Sequence, residues 1–546
     1  MSKNTIIRGT ILLTAATFFS KFIGMLYTIP FESLVGASGG MLYGLAYGPY
    51  SIFVSLSTIG IPLAVSKFVA KYNSLGDYQT SHRMYKLALR LMMVTGVVGF
   101  VLLFSSAELL ARIYIPKDAV GITIADVTMV IRMVSFALLI IPPMSITRGF
   151  FQGHQSMGPT AISQVIEQIV RIGFLLISVF VIIHLFDGSQ TVAVGFATFS
   201  AFIGAIASAV VLFWYWKKRK PYLDQTLRRQ IKPTHELSTR HLFHELFRYA
   251  GPFVMVGLAI PLYQQVDAIT FSRTMAELGY ASDVIDHAFS NINLYGHKLV
   301  LIPITLSTGL SLATLPTLTK SFVDRNKTLL FQQINQSIQI IMLLIIPAVV
   351  GMSVLSYQVW GAFYGVNDFI DLNGSLLGWY APVALFFALF TVTASILQGI
   401  SQQRFAVISL LCGIFIKAVF NVPLIHLFGP TGAIIATLFA SCCTVVLNVW
   451  RIKYAINFPI RQIVKRTMLI GIFTSIMGLA VWLVTFILSG WISYQDGRLA
   501  NVLILFIAVT IGAGIYLWLS YQSTLLERIL GERVRIIGKI TRRARS

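Results

Sequence analysis

The sequence predicts an all-α, polytopic membrane protein of fourteen transmembrane helices, arranged as two six-helix lobes followed by two C-terminal helices. Three observations carry this expectation. Of 546 residues, 56% are hydrophobic and only 11% charged, whereas a soluble protein is roughly 45–50% apolar and about 25% charged. Apolar segments of about 20 residues, the length that crosses a bilayer, recur along the whole chain. The basic residues, 42 against 20 acidic ones, crowd into alternate connections between those segments. This composition excludes a soluble globular enzyme, a disordered chain and a fibrous protein.

In chain order the spans fall at 9–31, 42–66, 87–111, 127–149, 160–184, 191–214, 249–272, 292–318, 334–357, 375–400, 405–427, 430–450, 467–489 and 500–521, with ends good to about four residues. The first is too long for a cleavable signal peptide, and no small-residue cleavage site follows it. Gly36–Gly40 reads as a tight external turn. Gly60–Pro62, Pro142–Pro143, Pro261 and Pro303 interrupt spans 2, 4, 7 and 8. In lipid such breaks survive where neighbouring helices or a wet cavity satisfy the freed backbone groups, which suits a transporter better than an anchor.

The longest internal loop, 217–248, opens with Lys217-Lys218-Arg219-Lys220 and continues through Leu242, Phe243, Leu246 and Phe247 on one helical face. It reads as an interfacial amphipathic helix, with His241, His244 and Glu245 as its polar side in preference to a metal site. The tail 525–546 repeats the pattern, with seven basic residues among Leu526, Ile529, Leu530, Ile536, Ile537 and Ile540. Domains are therefore expected at 1–216, 217–248, 249–454, 455–521 and 522–546.

With the N-terminus placed in the cytosol, 33 basic residues fall inside, four outside (Arg112, Lys117, Arg273 and Arg498) and five within spans. This asymmetry predicts that both termini are cytoplasmic. It makes anionic inner-leaflet lipids, and not nucleic acid, the partner of the positive charge. External loops are short, the longest being roughly 273–291, which weighs against a membrane glycosyltransferase or ligase. Cys412, Cys442 and Cys443 lie in apolar stretches without metal spacing. No metal, cofactor or enzyme activity is expected.

An internal repeat supports the two lobes. Leu56-Ser57-Thr58 recurs as Leu306-Ser307-Thr308, Tyr114 answers to Tyr364, and Gln152-Gly153 to Gln398-Gly399. Counting onward from those glycines pairs Arg171 with Lys417. Six spans is an even number, so the repeat is parallel and implies alternating access by rocking.

Charges inside the bilayer are expensive and mark function. They are Lys21, Arg132, Glu167, Arg171, Asp267, Lys298 and Lys417. Glu167 and Arg171, four apart on one helix, are placed to pair. Arg132 and Asp267, near external ends, are open to snorkelling. Lys21, Lys298, Arg171 and Lys417 are the candidate cavity residues, with His297 beside Lys298. A net positive cavity selects an anion such as a phosphate or diphosphate. Tyr27, Tyr47, Tyr50, Gln264, Gln265, Asn291, Asn293 and Tyr295 read equally as sugar contacts or as interhelical bonds.

Phe19-Ser20-Lys21-Phe22-Ile23-Gly24 resembles the Phe-Ser-Arg-hydrophobic-hydrophobic-Gly motif of the MurJ-like lipid II flippases, in the multidrug/oligosaccharidyl-lipid/polysaccharide exporter superfamily. Tyr295-x-x-Lys298-x-x-x-x-Pro303, Leu315-Pro316 and Lys320-Ser321-Phe322 are similar to the family's span 8 motif. Lysine replaces arginine in both. Tyr27 stands where a second span 1 arginine is expected, Ser55 near an expected span 2 arginine, and Leu301 in place of an acidic residue. These departures resemble the Gram-positive, stage V sporulation protein B-like branch. The resemblance implies a flippase of the bacterial plasma membrane that moves undecaprenyl-diphosphate-linked peptidoglycan precursor by alternating access. It implies a substrate site at Lys21 and Lys298, which Tyr27, His297 and the repeat-related Arg171 and Lys417 are expected to complete, a groove for the lipid tail at spans 13 and 14, and contact with cell-wall synthesis machinery. A flippase for another lipid-linked glycan, a cation-coupled drug exporter and a membrane enzyme are the rivals. No nucleotide-binding motif appears, so the expected driving force is an ion gradient or the membrane potential.

Overall fold

A computed structural model describes residues 3–58, 60–116, 121–228, 230 and 238–530. Every regular element among them is helical. The chain divides into two compact units, Met1–Asp286 and His287–Ser546.

The first unit holds α1 (Lys3–Leu26), α2 (Thr28–Thr58), α3 (Gly60–Ser74), α4 (Tyr78–Tyr114), α5 (Ile124–Ser135), α6 (Ile141–Gly153), α7 (Met157–Phe180), α8 (Gln190–Arg228), α9 (Thr239–Gly257) and α10 (Ala259–Glu277). Then α11 (Ser282–Asn293) crosses the division. In the second unit are α12 (Tyr295–Val323), α13 (Lys327–Val354), α14 (Ser356–Tyr364), α15 (Ile370–Tyr380), α16 (Val383–Gly399), α17 (Gln403–Phe428), α18 (Pro430–Ile456), α19 (Arg461–Ser489), α20 (Arg498–Gln522) and α21 (Leu525–Leu530).

Eleven helical stretches among the described residues are long and apolar enough to cross a membrane, which makes this a multi-pass membrane protein. The expected count was fourteen. One stretch, Ala15–Ser74, is 60 residues long and takes in two expected spans, since about 20 residues suffice for one crossing. The expected spans 249–272 and 292–318 fall on α9–α10 and α12, which are not among the eleven. In α10, Gln264, Gln265 and Asp267 dilute the apolar run.

Helix starts follow local chemistry. The Asp77 side chain accepts from the Thr80 amide at 2.9 Å and opens α4. Thr123 and Asp126 form a reciprocal capping box at α5, satisfying two backbone donors that a helix start leaves orphaned. Pro142 and Pro143 occupy the first turn of α6 after a short 3₁₀ segment, Phe136–Leu139, where a missing amide is harmless. Pro261 likewise follows a break, between α9 and α10 at Leu258. Around Pro303, by contrast, α12 is continuous.

Within the expected 36–40 turn the backbone leaves helical geometry at Gly36 (φ 60°, ψ −159°), where two helical segments of α2 meet at a sharp kink; glycine enters this region without the Cβ clash other residues suffer. One expectation needs correction: among the described residues there is no separate interfacial helix in 217–248. Instead α8 continues to Arg228, and α9 begins at Thr239 and runs directly into the next span. Leu242 and Leu246 are buried with Phe68, Val69 and Tyr72 of α3. Glu245 takes an ion pair from Lys71 at 3.1 Å and a hydrogen bond from Tyr72 at 3.0 Å. The leucines of that face pack on protein, while Phe247 stays exposed. Of the expected tail, residues 531–546 lie outside the described residues, as do 231–237 of the linker.

Within each unit the same local pattern recurs. Helix α6 packs on α3 and α16 on α12; α7 packs on α8 and α17 on α18. Three residues after each glutamine of the Gln-Gly pair, Gln155 (φ 57°) and Ser401 (φ 60°) turn the chain back. The next amides, Ser156 and Gln402, close the ends of α6 and α16 onto the carbonyls of Phe151 and Leu397, at 2.9 and 2.7 Å. This is the left-handed cap that finishes many helices. The last two long helices join the second unit, α19 against α13 and α20 against α14.

Candidate functional site

The first unit gathers three of the sequence-predicted residues along one seam, where α1 packs on α7. Thr17 of α1 donates to Gln164 of α7 at 3.2 Å. Gly24 lies so close to Gln168 that an added Cβ would stand 2.6 Å from its amide nitrogen. Lys21 comes four residues after Thr17 and three before Gly24, so it shares their helical stripe. Arg171 continues the Gln164–Gln168 stripe on α7 in the same way. Lys21 is exposed and makes no hydrogen bond or ion pair among the described residues.

Arg171 reaches into a tyrosine cluster on α2. Its guanidinium donates to the Tyr43 hydroxyl at 3.2 Å and the Tyr47 hydroxyl at 3.4 Å, and lies over the Tyr47 ring at 5.5 Å. Tyr27, at the break between α1 and α2, donates to the Tyr43 hydroxyl at 3.3 Å. Tyr43 and Tyr47 stack at 5.4 Å, and Tyr47 tilts against Tyr50 at 5.1 Å. Rings and phenols hold the cation without neutralising it. Tyr43 was missed in the sequence, although Tyr43, Tyr47 and Tyr50 sit at i, i+4 and i+7, a single helical face.

Glu167 does not pair with Arg171. Its carboxylate is held by Arg148 of α6 at 2.6 Å. Arg148 also donates to Ser163 at 3.0 Å and to Ser208 at 2.7 Å, so one guanidinium ties α6 to both α7 and α8. Both charged side chains are about one-fifth exposed, at 17% and 20%. At Gly204, α8 closes to within 2.8 Å of the Glu167 carbonyl oxygen, measured from an added Cβ. No larger residue fits there without displacing backbone. Arg148 falls at the inner end of the expected span 127–149, and nothing local in the sequence links it to a residue nineteen positions on. Arg132 forms no ion pair among the described residues; its guanidinium lies over the Phe104 ring at 5.2 Å.

In the second unit the candidates separate. His297 is buried, its Nδ1 2.7 Å from the Tyr380 hydroxyl. Lys298 is half-buried in the first turn of α12. Near it, Tyr364 donates to the Tyr295 carbonyl at 2.9 Å. Lys417 is wholly enclosed, at 0% exposure. Its ammonium donates to the Ala433 carbonyl at 2.8 Å and the Thr437 hydroxyl at 2.6 Å, both on α18. Arg171 and Lys417 thus occupy matching helix pairs in different surroundings, one among phenols and one sealed between helices. Among the polar residues left open by the sequence, Gln265 donates to the Tyr114 hydroxyl, and Asn291 donates to Asn373 at 2.9 and 3.1 Å. These are interhelical bonds.

Comparison with known proteins agrees with this architecture. The profile of the family described as Polysaccharide biosynthesis protein matches residues 6–322, and that of MatE matches residues 295–422. Lipid II flippase MurJ of Bacillus subtilis (strain 168) is 48% identical over 531 residues, 97% of each chain. Stage V sporulation protein B of the same organism is 24% identical over 421 residues, covering 76% of this chain and 77% of that one. Among solved structures, lipid II flippase MurJ in an inward closed conformation superposes with a TM-score of 0.66 at 17% identity, over 95% of this chain and 99% of that one. With a family profile spanning more than half its length and a full-length relative at 48% identity, the chain belongs to the polysaccharide biosynthesis protein family, in the branch of the lipid II flippase MurJ.

Proposed function

We propose that the protein flips undecaprenyl-diphosphate-linked peptidoglycan precursor, lipid II, from the inner to the outer leaflet of the bacterial membrane by alternating access. It is a transporter and not an enzyme. Both termini lie in the cytosol, as the distribution of basic residues favours. The full-length 48% identity to a lipid II flippase supports the cargo. One observation carries the chemistry: Lys21 and Arg171 stand on a single seam, and neither is bound to a carboxylate among the described residues. Such a pair attracts a diphosphate, and more strongly where water is scarce. A drug exporter would need a free carboxylate there, and Glu167 is occupied by Arg148. Tyr27 and its neighbours on α2 orient Arg171. Lys298, with His297 beside it, supplies the second unit's cation. The groove for the polyprenyl tail is formed by α19 and α20.

The test is flipping of labelled lipid II by the purified protein in vesicles. Wild type moves it. Lys21→Ala inserts normally and loses transport, and Lys21→Arg retains much of it, because a mobile cation serves a diphosphate unless two-pronged geometry is required. Undiminished flipping by Lys21→Ala would remove the seam from the cargo path. Flipping of a different polyprenyl-linked glycan in preference to lipid II would replace the cargo.

A further inference from the structure

Away from the α1–α7 seam, the end of the first unit assigned to the cytosol carries a cavity of 670 Å³. Its α4 wall is a single stripe, Gln79, Arg83, Lys86 and Arg90, at i, i+4, i+7 and i+11. Arg228 from the end of α8 faces it, and Thr239 at the start of α9 closes it, accepting a hydrogen bond from Arg83 at 2.9 Å. Among its described lining residues are Arg83, Lys86, Arg90 and Arg228 and no carboxylate. Four like charges around one hollow attract an anion.

A second cavity, of 510 Å³, shares Lys86 and lies along the same stretch of α4, at Tyr85–Leu89. Its walls are Tyr85 and Leu89 of α4, Met144 of α6, and Leu212, Phe213 and Trp216 of α8. The lining is almost wholly apolar. Trp216 stacks on Tyr85 at 5.1 Å, an aromatic pair of the kind that sits at headgroup level. Basic hollow and apolar groove therefore meet at one lysine, at the level where span 3 is expected to enter the bilayer. A ligand that fills both has an anionic head and a hydrocarbon tail.

We propose that this is a binding site for an anionic phospholipid of the inner leaflet. Its phosphate is held by Arg83, Lys86, Arg90 and Arg228, and one acyl chain lies in the groove between α4, α6 and α8. The leaflet rests on the cytosolic orientation proposed above; the site itself does not depend on the identity of the transported cargo. Charge complementarity and the common Lys86 wall of the two cavities select a phosphodiester lipid over a soluble anion, which has nothing to place in the groove.

The experiment is native mass spectrometry of the purified full chain titrated with phosphatidylglycerol or phosphatidylcholine. Wild type is expected to bind the first at least tenfold more tightly. Arg83→Gln/Lys86→Gln/Arg90→Gln, three exposed positions whose change leaves the core intact, abolishes that preference. Ala209→Trp, which fills the groove, weakens phosphatidylglycerol binding and leaves inorganic phosphate no better a competitor. Equal binding of the two lipids, or a preference that survives the triple substitution, overturns the proposal. Full displacement by millimolar inorganic phosphate makes the hollow a soluble-anion site and overturns it. Tighter binding of undecaprenyl diphosphate at these residues also overturns it and joins the hollow to the cargo path. Lipid binding is read here without transport, so failure of flipping in vesicles would count against the cargo and not against this site.

Discussion

Glu167 and Arg148 offer a quantitative test of the first unit. Arg148→Ala removes three bonds at once, to Ser163, Glu167 and Ser208. It also strands a carboxylate only 20% exposed. Breaking one side of a buried ion pair is worth about 3–5 kcal/mol; with both side chains about one-fifth exposed, roughly 2–4 kcal/mol is expected here. Glu167→Gln leaves the guanidinium with its two serines and forfeits one charged hydrogen bond, about 1.5–3 kcal/mol. In the Arg148→Ala/Glu167→Gln double variant no charge is left uncompensated. What remains is loss of ordinary hydrogen bonds, about 1–2 kcal/mol. The double variant should therefore be more stable than Arg148→Ala alone, and the two single effects should exceed the double by about 2 kcal/mol or more. The assay is unfolding of purified protein by SDS in mixed micelles, followed by tryptophan fluorescence. Additivity within about 0.5 kcal/mol would refute the pairing. So would an Arg171→Ala variant rescued by Glu167→Gln, since that pattern belongs to the i, i+4 pair that the structure does not form.

Other expectations follow from single residues. Lys417→Met should keep transport at matched protein amount, because the ammonium is enclosed and donates to the Ala433 carbonyl and Thr437 hydroxyl of α18; lost transport in a well-folded Lys417→Met would return this residue to the cargo path. Asp286, on α11 outside the spans, has its carboxyl pushed up to about 6 by burial, reinforced by Asp283 and opposed by a 2.5 Å hydrogen bond from Ser38. Its folded pKa lies above its unfolded value of 3.8, so its stabilisation is present at low pH and is lost as pH rises from about 4 through 6, by roughly 3 kcal/mol. Thermal unfolding between pH 4 and 7.5 checks this, and Asp286→Asn should flatten the profile; an unchanged slope refutes it. In a background lacking Cys412, Cys442 and Cys443, Gln225→Cys should label only from the inside and Glu277→Cys only from the outside. The reverse would invert the orientation.

Much of this was legible in the sequence because membrane proteins obey a severe local rule. A backbone in lipid must bond to itself, so long apolar runs announce helices, and prolines announce their breaks, as at Pro142 and Pro261. The repeat was legible because Gln-Gly marks a helix end that uses the same left-handed residue twice, Gln155 and Ser401. What escaped notice was long-range or three-dimensional. The i, i+4 rule put Glu167 with Arg171, but a better partner arrived from another helix. Leu242 and Leu246 made an amphipathic face that periodicity cannot assign to lipid or to protein; α3 took it. Lys417 and Arg171 have matching sequence positions, yet the small residues of α18 enclose one of them, while tyrosines on α2 surround the other.

The tyrosine cluster has an imbalance that emerges from counting hydrogens. A phenol has one to give and room to accept two. Tyr43 accepts from Tyr27 and from Arg171, which fills its acceptor places and leaves its own hydrogen unspent. The guanidinium has five to give, and its bonds to Tyr43 and Tyr47 both leave from one terminal nitrogen. At the Tyr43 hydroxyl, donors therefore outnumber acceptors. A cation has nothing to offer such a place. An ionised diphosphate, all oxygen lone pairs and no hydrogens, is the complementary case, and a sugar hydroxyl, able to turn either way, is the intermediate one.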